Sequence, residues 1–152
     1  MVIGDSFSSD DKEEYVRSHL IPGAVMRRRC DFTIPVKIKY LVVAHVRSET
    51  AVLVVNSEIH PYVQRRASLL DCQVKLDKQS HCFLDHDSYI ACREAYYLDT
   101  ADLLAELQDD IASIKGMLSP DVRSAVTKAI ESSFTMPREQ INLLLSSLIS
   151  RK

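Results

Sequence analysis

Glycine is scarce in this chain, with three in 152 residues, and none of them forms a loop able to cradle a phosphate. A glycine-rich turn lets backbone N–H groups approach phosphate oxygens, so its absence excludes nucleotide kinases and dinucleotide enzymes. Long apolar runs are also missing. No stretch approaches the ~18 uninterrupted apolar residues of a spanning helix. The start is acidic and polar (Ser8-Ser9-Asp10-Asp11-Lys12-Glu13-Glu14), whereas an export signal needs a basic start and an apolar core. Cysteine knuckles are absent too. Cys72, His81, Cys82, His86 and Cys92 lie close in sequence, but no C-x₂-C spacing occurs and no metal site or cofactor is expected. Without an export signal the four cysteines are read as reduced, mostly buried hydrophobes, which places the chain in the cytoplasm.

Hydrophobic residues make up 46% of the chain and charged residues 26%, with a net charge of −2. That balance suits one globular domain with a real core, and it argues neither for nor against nucleic acid. Residues 1–20 read as a short N-terminal helix or extension. Asp10 is its expected cap, with Glu13 completing a capping box, and Ile21-Pro22-Gly23 its stop.

Residues 21–98 then change to period two and β-branched side chains. Val36-Lys37-Ile38-Lys39-Tyr40 alternates apolar and basic, as a strand with one wet face does. Ala51–Val55 reads as a buried strand, a basic Pro-containing loop follows over 60–66, and further strands are expected at 69–76, 82–84 and 89–98. Residues 99–152 turn helical, over roughly 99–113, 119–133 and 136–150. Asp99 and Ser119 are the expected caps, Pro120 takes a first helical position, and 114–118 is a break. The expected fold is therefore α+β: a small β-barrel followed by C-terminal helices, with a short N-terminal helix. The stripe Ile141, Leu144, Leu145 and Leu148 exceeds what a small barrel must bury, so a homodimer is expected.

Basic residues cluster at Arg27-Arg28-Arg29, Lys37, Lys39, Arg65 and Arg66. In an extended segment Arg27 and Arg29 share one face and Arg28 takes the other. Guanidinium forks suit phosphate oxygens or an acidic partner, and basic residues on a strand also guard a sheet edge. The acid–base candidates are Ser57, Glu58, His60, Asp85, Asp87, Arg93 and Glu94, which fall at strand ends and in loops that a barrel gathers on one rim.

The order of segments resembles the MazF/PemK toxins, a family of messenger-RNA interferases. Ile21-Pro22-Gly23-Ala24-Val25 is similar to their G-x-V entry strand, and Tyr40-Leu41-Val42-Val43 to P-V-L-V-V. Ala51 to Ser57 is similar to the strand that leads into their T-S turn. Tyr96 to Leu103, followed by Lys115-Gly116-Met117-Leu118-Ser119-Pro120-Asp121-Val122, resembles R-T-I-D-x-x-R-L … G-x-L-S-P-E-x-M. The resemblance covers residues 21–133. Asn56-Ser57 stands where the family has Thr-Ser, Ile38-Lys39 lacks the family's following Pro, and Arg93-Glu94 replaces its acidic-Gln pair.

The resemblance implies an SH3-like barrel and a metal-free endoribonuclease that cleaves single-stranded RNA as the growth-inhibiting half of a toxin–antitoxin pair. Ser57, His60, Arg93 and Glu94 would be catalytic. Arg27, Arg28, Arg29, Lys37, Lys39, Arg65 and Arg66 would hold RNA, with bases stacked on Tyr62 or Tyr89, and an acidic antitoxin would be the protein partner. The alternative it leaves is a catalytically inactive barrel that binds a protein through its basic face.

Overall fold

The computed structural model describes residues 8–32 and 35–149. The expected extension before Ser8 and the end of the last helix beyond Ile149 lie outside the described residues. The architecture is α+β, a curled antiparallel half-barrel sheet with helices on both faces.

The two central strands explain the layering. β2 (Lys37–Val46) and β3 (Glu49–Asn56) pair antiparallel, Leu41 opposite Val54 and Val43 opposite Val52. Both are apolar on both faces. Val42, Ala44, Leu53 and Val55 point to one core, and Leu41, Val43, Val52 and Val54 to another. A strand buried on both faces needs cover on both sides. On the second side lie α1 (Ser9–His19) and α4 (Thr100–Asp109), through Val16, Leu103 and Leu107. On the first lie α5 (Pro120–Ser132) and α6 (Arg138–Ile149), through Val126, Ile130, Ile141, Leu144 and Leu148.

The remaining strands extend and curl this pair. β1 (Ala24–Cys30) pairs with β2 and, on its other edge, with β7 (Ile114–Met117). β6 (Tyr96–Asp99) pairs with the first half of β3, and β5 (Ser88–Ala91) with its end, so β3 bends between two neighbours. β4 (Gln73–Leu76) completes the edge beside β5.

Several boundaries differ from the sequence reading. Ser8, not Asp10, caps α1: its hydroxyl accepts from Asp11 N–H, and Asp11 supplies the returning carboxylate. Residues 82–84 are not a strand but part of a turn. Leu84 is buried there, and its N–H donates to the His81 carbonyl at 3.0 Å. The apolar run from Leu69 begins as a one-turn helix, α3 (Ala67–Leu70), and the 60–66 loop contains another, α2 (Pro61–Gln64). Residues 114–117, read as a break, are β7; Gly116 pairs opposite Val25. The stripe on α6 is spent inside the molecule, since Ile141, Leu144 and Leu148 are all buried. Leu145 of the same stripe is half-buried against that core, and Leu143 and Ile149 of α6 are exposed.

Two side chains tie the layers together. Arg123 of α5 donates from Nη1 to the Pro22 carbonyl at 2.8 Å and from Nε to the Leu148 carbonyl at 2.7 Å. It lies directly over Gly23, whose φ of 95° is left-handed and where an added Cβ would sit 2.2 Å from Nη1. His81 is fully buried and bridges two loops. Its Nδ1 lies 2.8 Å from the Asp77 carbonyl, to which it donates, leaving Nε2 to accept from Ser119 N–H at 3.0 Å.

Replacing His81 with Ala orphans both of those backbone groups, and urea unfolding should register a loss of about 2–3 kcal/mol. Leu144→Ala should cost ~2–5 kcal/mol by the same measurement. A Leu144→Ala variant as stable as the parent would mean that α6 does not pack on the sheet as described.

Candidate functional site

β2 runs on past the end of β3, and its first residues are charged rather than apolar. Lys37 and Lys39 lie on the same face as Leu41, at the mouth of a cavity of about 450 Å³. Another wall is the end of β3 and the turn that follows it, carrying Asn56, then Ser57, Glu58 and His60. Arg93 and Glu94, from the segment between β5 and β6, and Tyr96, the first residue of β6, close it. Of the residues singled out from sequence, the cavity thus gathers Ser57, Glu58, His60, Arg93 and Glu94 with Lys37 and Lys39. Segments distant in sequence meet here because β3 pairs with both β5 and β6.

The polar groups are held in specific ways. The Lys39 ammonium donates to Asn56 Oδ1. Burial, reinforced by the neighbouring charge of Lys37, lowers its pKa from the ordinary 10.5. Tyr96 Oη donates to Glu94 Oε2 at 3.1 Å, which fixes that carboxylate and leaves its other oxygen available. Burial raises the Tyr96 pKa, and the adjacent Glu94 charge and hydrogen bond push the same way. The Tyr96 ring stacks on Phe32, with centroids 4.4 Å apart. His60 caps α2: its Nδ1 accepts from Tyr62 N–H at 3.1 Å. An Nδ1 lone pair used in this way puts the hydrogen of the neutral ring on Nε2. His60, which lines the cavity, thus has Nε2–H left to donate when the ring is neutral.

The other basic residues do not reach this cavity. Arg28 turns to the opposite face from its neighbours and forms a two-pronged ion pair with Glu106 of α4, Nε–Oε2 2.8 Å and Nη2–Oε1 2.7 Å. Arg27 and Arg29 are exposed on the other face of β1, opposite Tyr40 and Ile38. Arg65 is exposed, and Arg66 lies over the Tyr62 ring at 3.8 Å, so one face of that ring is covered.

Two lining residues were missed as site candidates. Asn56 holds Lys39, and Tyr96 holds Glu94 and is the aromatic ring on the cavity in place of Tyr62 or Tyr89. Neither carries a local signal, because each acts only through a partner brought in by strand pairing. Cys30, Cys72 and Cys92 are buried thiols and Cys82 is exposed. Among the described residues no cluster of histidine, cysteine or carboxylate side chains assembles to hold a metal ion, and no helix is long and apolar enough to cross a membrane.

No protein-family model matches the chain, and no curated protein matches it.

The coupling of Lys37 to Lys39 is open to direct measurement. An NMR titration of the lysine Nζ signals should place Lys39 below 10.5. Lys37→Ala removes a like charge and should move the Lys39 midpoint upward, but not fully back, because burial is the larger cause. An unchanged midpoint in that variant would show that the two ammonium groups do not share the site.

Proposed function

We propose that this chain is a toxin-type endoribonuclease that cleaves single-stranded RNA without metal. The observation that carries this reading is the meeting of two lysines, an arginine, a tethered carboxylate, a hydroxyl and an imidazole donor around one cavity. The ordered resemblance of residues 21–133 to the MazF/PemK toxins supports it, and with it the reading of the curled sheet as an SH3-like barrel. Cleavage of RNA by its own 2′-hydroxyl needs a base, an acid and cations on the phosphorane.

Each requirement has a candidate here. Glu94, oriented by Tyr96, takes the 2′-hydroxyl proton as the 2′-oxygen bonds to phosphorus. Lys39, made a stronger acid by burial, gives its proton to the departing 5′-oxygen as the P–O5′ bond breaks. The products are a 2′,3′-cyclic phosphate and a 5′-hydroxyl. Arg93 and Lys37 neutralise the phosphorane charge, while the His60 Nε2–H and the Ser57 hydroxyl donate to its oxygens. Single-stranded substrate follows from access, since a duplex hides the bases that an aromatic wall such as Tyr96 can stack on.

One observation favours the second reading, a catalytically silent module that binds an acidic protein segment such as an antitoxin. Arg27 and Arg29 stand off the cavity on a sheet face beside Ile38, which is 59% exposed. That basic and apolar surface suits an acidic, amphipathic partner.

Incubating the purified chain with a long single-stranded RNA in EDTA separates the two. The expected result is fragments ending in 2′,3′-cyclic phosphate, formed ~10²–10⁴-fold more slowly by Glu94→Gln. Lys37→Ala should weaken RNA binding and flatten its salt dependence by about 0.7 in slope, because one fewer phosphate is neutralised. Intact RNA at equimolar protein would defeat the nuclease reading.

A further inference from the structure

A second, smaller cavity of about 220 Å³ adjoins the first and shares Lys37, Lys39 and Ser57 with it as a common wall. Its remaining walls are of a different kind. Ile38, Tyr40 and Leu84 give it apolar sides, and the Tyr40 ring is fixed because its Oη donates to the Phe83 carbonyl at 3.1 Å. Asp85 and His86 complete the rim from the turn between β4 and β5.

That turn carries three aspartates, and two of them are spent on structure. Asp77 accepts from Ser80 N–H at 2.8 Å. Asp87 accepts from Lys78 N–H at 2.8 Å and pairs with Lys75 at 3.4 Å. These interactions lower the pKa of both carboxyls, backbone and side-chain hydrogen bonds being the main cause. Asp85 differs: among the described residues its carboxylate has no hydrogen-bond or ion-pair partner, and it lines the cavity.

We propose that this cavity is a guanine subsite for the nucleotide next to the cleaved linkage, with Asp85 the residue that selects the base. The inference rests on the ribonuclease reading of the larger cavity. The shared wall makes the link, since a base in the small cavity and a phosphate in the large one can belong to one strand. The recognition chemistry is specific. A carboxylate offers two acceptor oxygens side by side, and the Watson–Crick edge of guanine presents two adjacent donors, N1–H and N2–H, next to the O6 acceptor. A lysine ammonium on the shared wall suits O6. Adenine and cytosine each offer a single donor group on that edge, and uracil offers one N–H between two acceptors. Splayed-out bases of single-stranded RNA are read on this edge.

The test uses 2′-O-methyl hexanucleotides, which cannot be cleaved because the attacking oxygen is blocked. Each carries one guanine, inosine or adenine among uridines, and binding to the full chain is followed by fluorescence anisotropy. The parent protein should prefer guanine to adenine by about ten- to a hundredfold. Inosine, which lacks the N2 amine, should fall between them. Asp85→Asn turns an acceptor oxygen into a donor N–H₂ and should abolish the preference. Equal binding of all three oligonucleotides, while long RNA is still cut in EDTA, would overturn the subsite and leave the nuclease. A guanine preference that survives in Asp85→Asn would overturn the role of Asp85. If no oligonucleotide binds and no RNA is cut, both readings fail together.

Discussion

The pairing of β2 with β3 is the constraint from which the rest of the structure follows. Leu41, Val42, Val43 and Ala44 on one strand, and Val52, Leu53, Val54 and Val55 on the other, are apolar at consecutive positions. A pleated strand sends neighbouring side chains to opposite faces, so such runs cannot be satisfied by one layer. At roughly 25 cal/mol per Å² of apolar surface removed from water, covering both faces outweighs any arrangement that leaves one wet. The helix pair α1 and α4 answers one face, and α5 and α6 answer the other. This is why the three long helices of the C-terminal third do not form a separate layer at one end.

The candidate site is where that rule stops applying. At the start of β2 the apolar run gives way to Lys37 and Lys39, and at the end of β3 it gives way to Asn56, followed by Ser57 and Glu58. The pairing of β2 with β1 continues there, yet the side chains no longer have a core to enter. The chain uses those positions for a partly enclosed polar cavity instead. Low local polarity on one side and open solvent on the other account for the opposite shifts of Lys39 and Tyr96, each pushed towards its neutral form.

Much of the element order was legible in the sequence. Asp99 and Ser119 do cap their helices, accepting from Asp102 N–H at 3.0 Å and Val122 N–H at 3.3 Å. Alternation at 37–40 did mark a strand with charged residues on one face, and the separation of Arg28 from Arg27 and Arg29 followed from period two alone. What was illegible depended on tertiary partners. Cys82-Phe83-Leu84 looks like a strand because Leu84 is buried, but His81 pins that segment into a turn beneath α5. The α6 stripe looked surplus because the second face of the sheet, which consumes it, cannot be counted from local pattern. The gathering of Ser57, His60, Arg93 and Glu94 was plausible from their places at strand ends. Their shared wall with Lys39 depended on β3 having both β5 and β6 as neighbours.

The Arg123 clamp bears on how distant parts of the chain are held together. Its guanidinium joins α5 to a carbonyl 101 positions earlier and to another 25 positions later. Each link holds α5 to a part of the chain that no local contact would bring to it, so the clamp fixes long-range packing rather than local structure. Gly23 sits under it with no room for a side chain. A substituent there would strain a left-handed backbone and also prise the guanidinium off its carbonyl partners, loosening helices remote in sequence. A residue type that the chain uses only three times thus guards a joint between segments far apart in sequence.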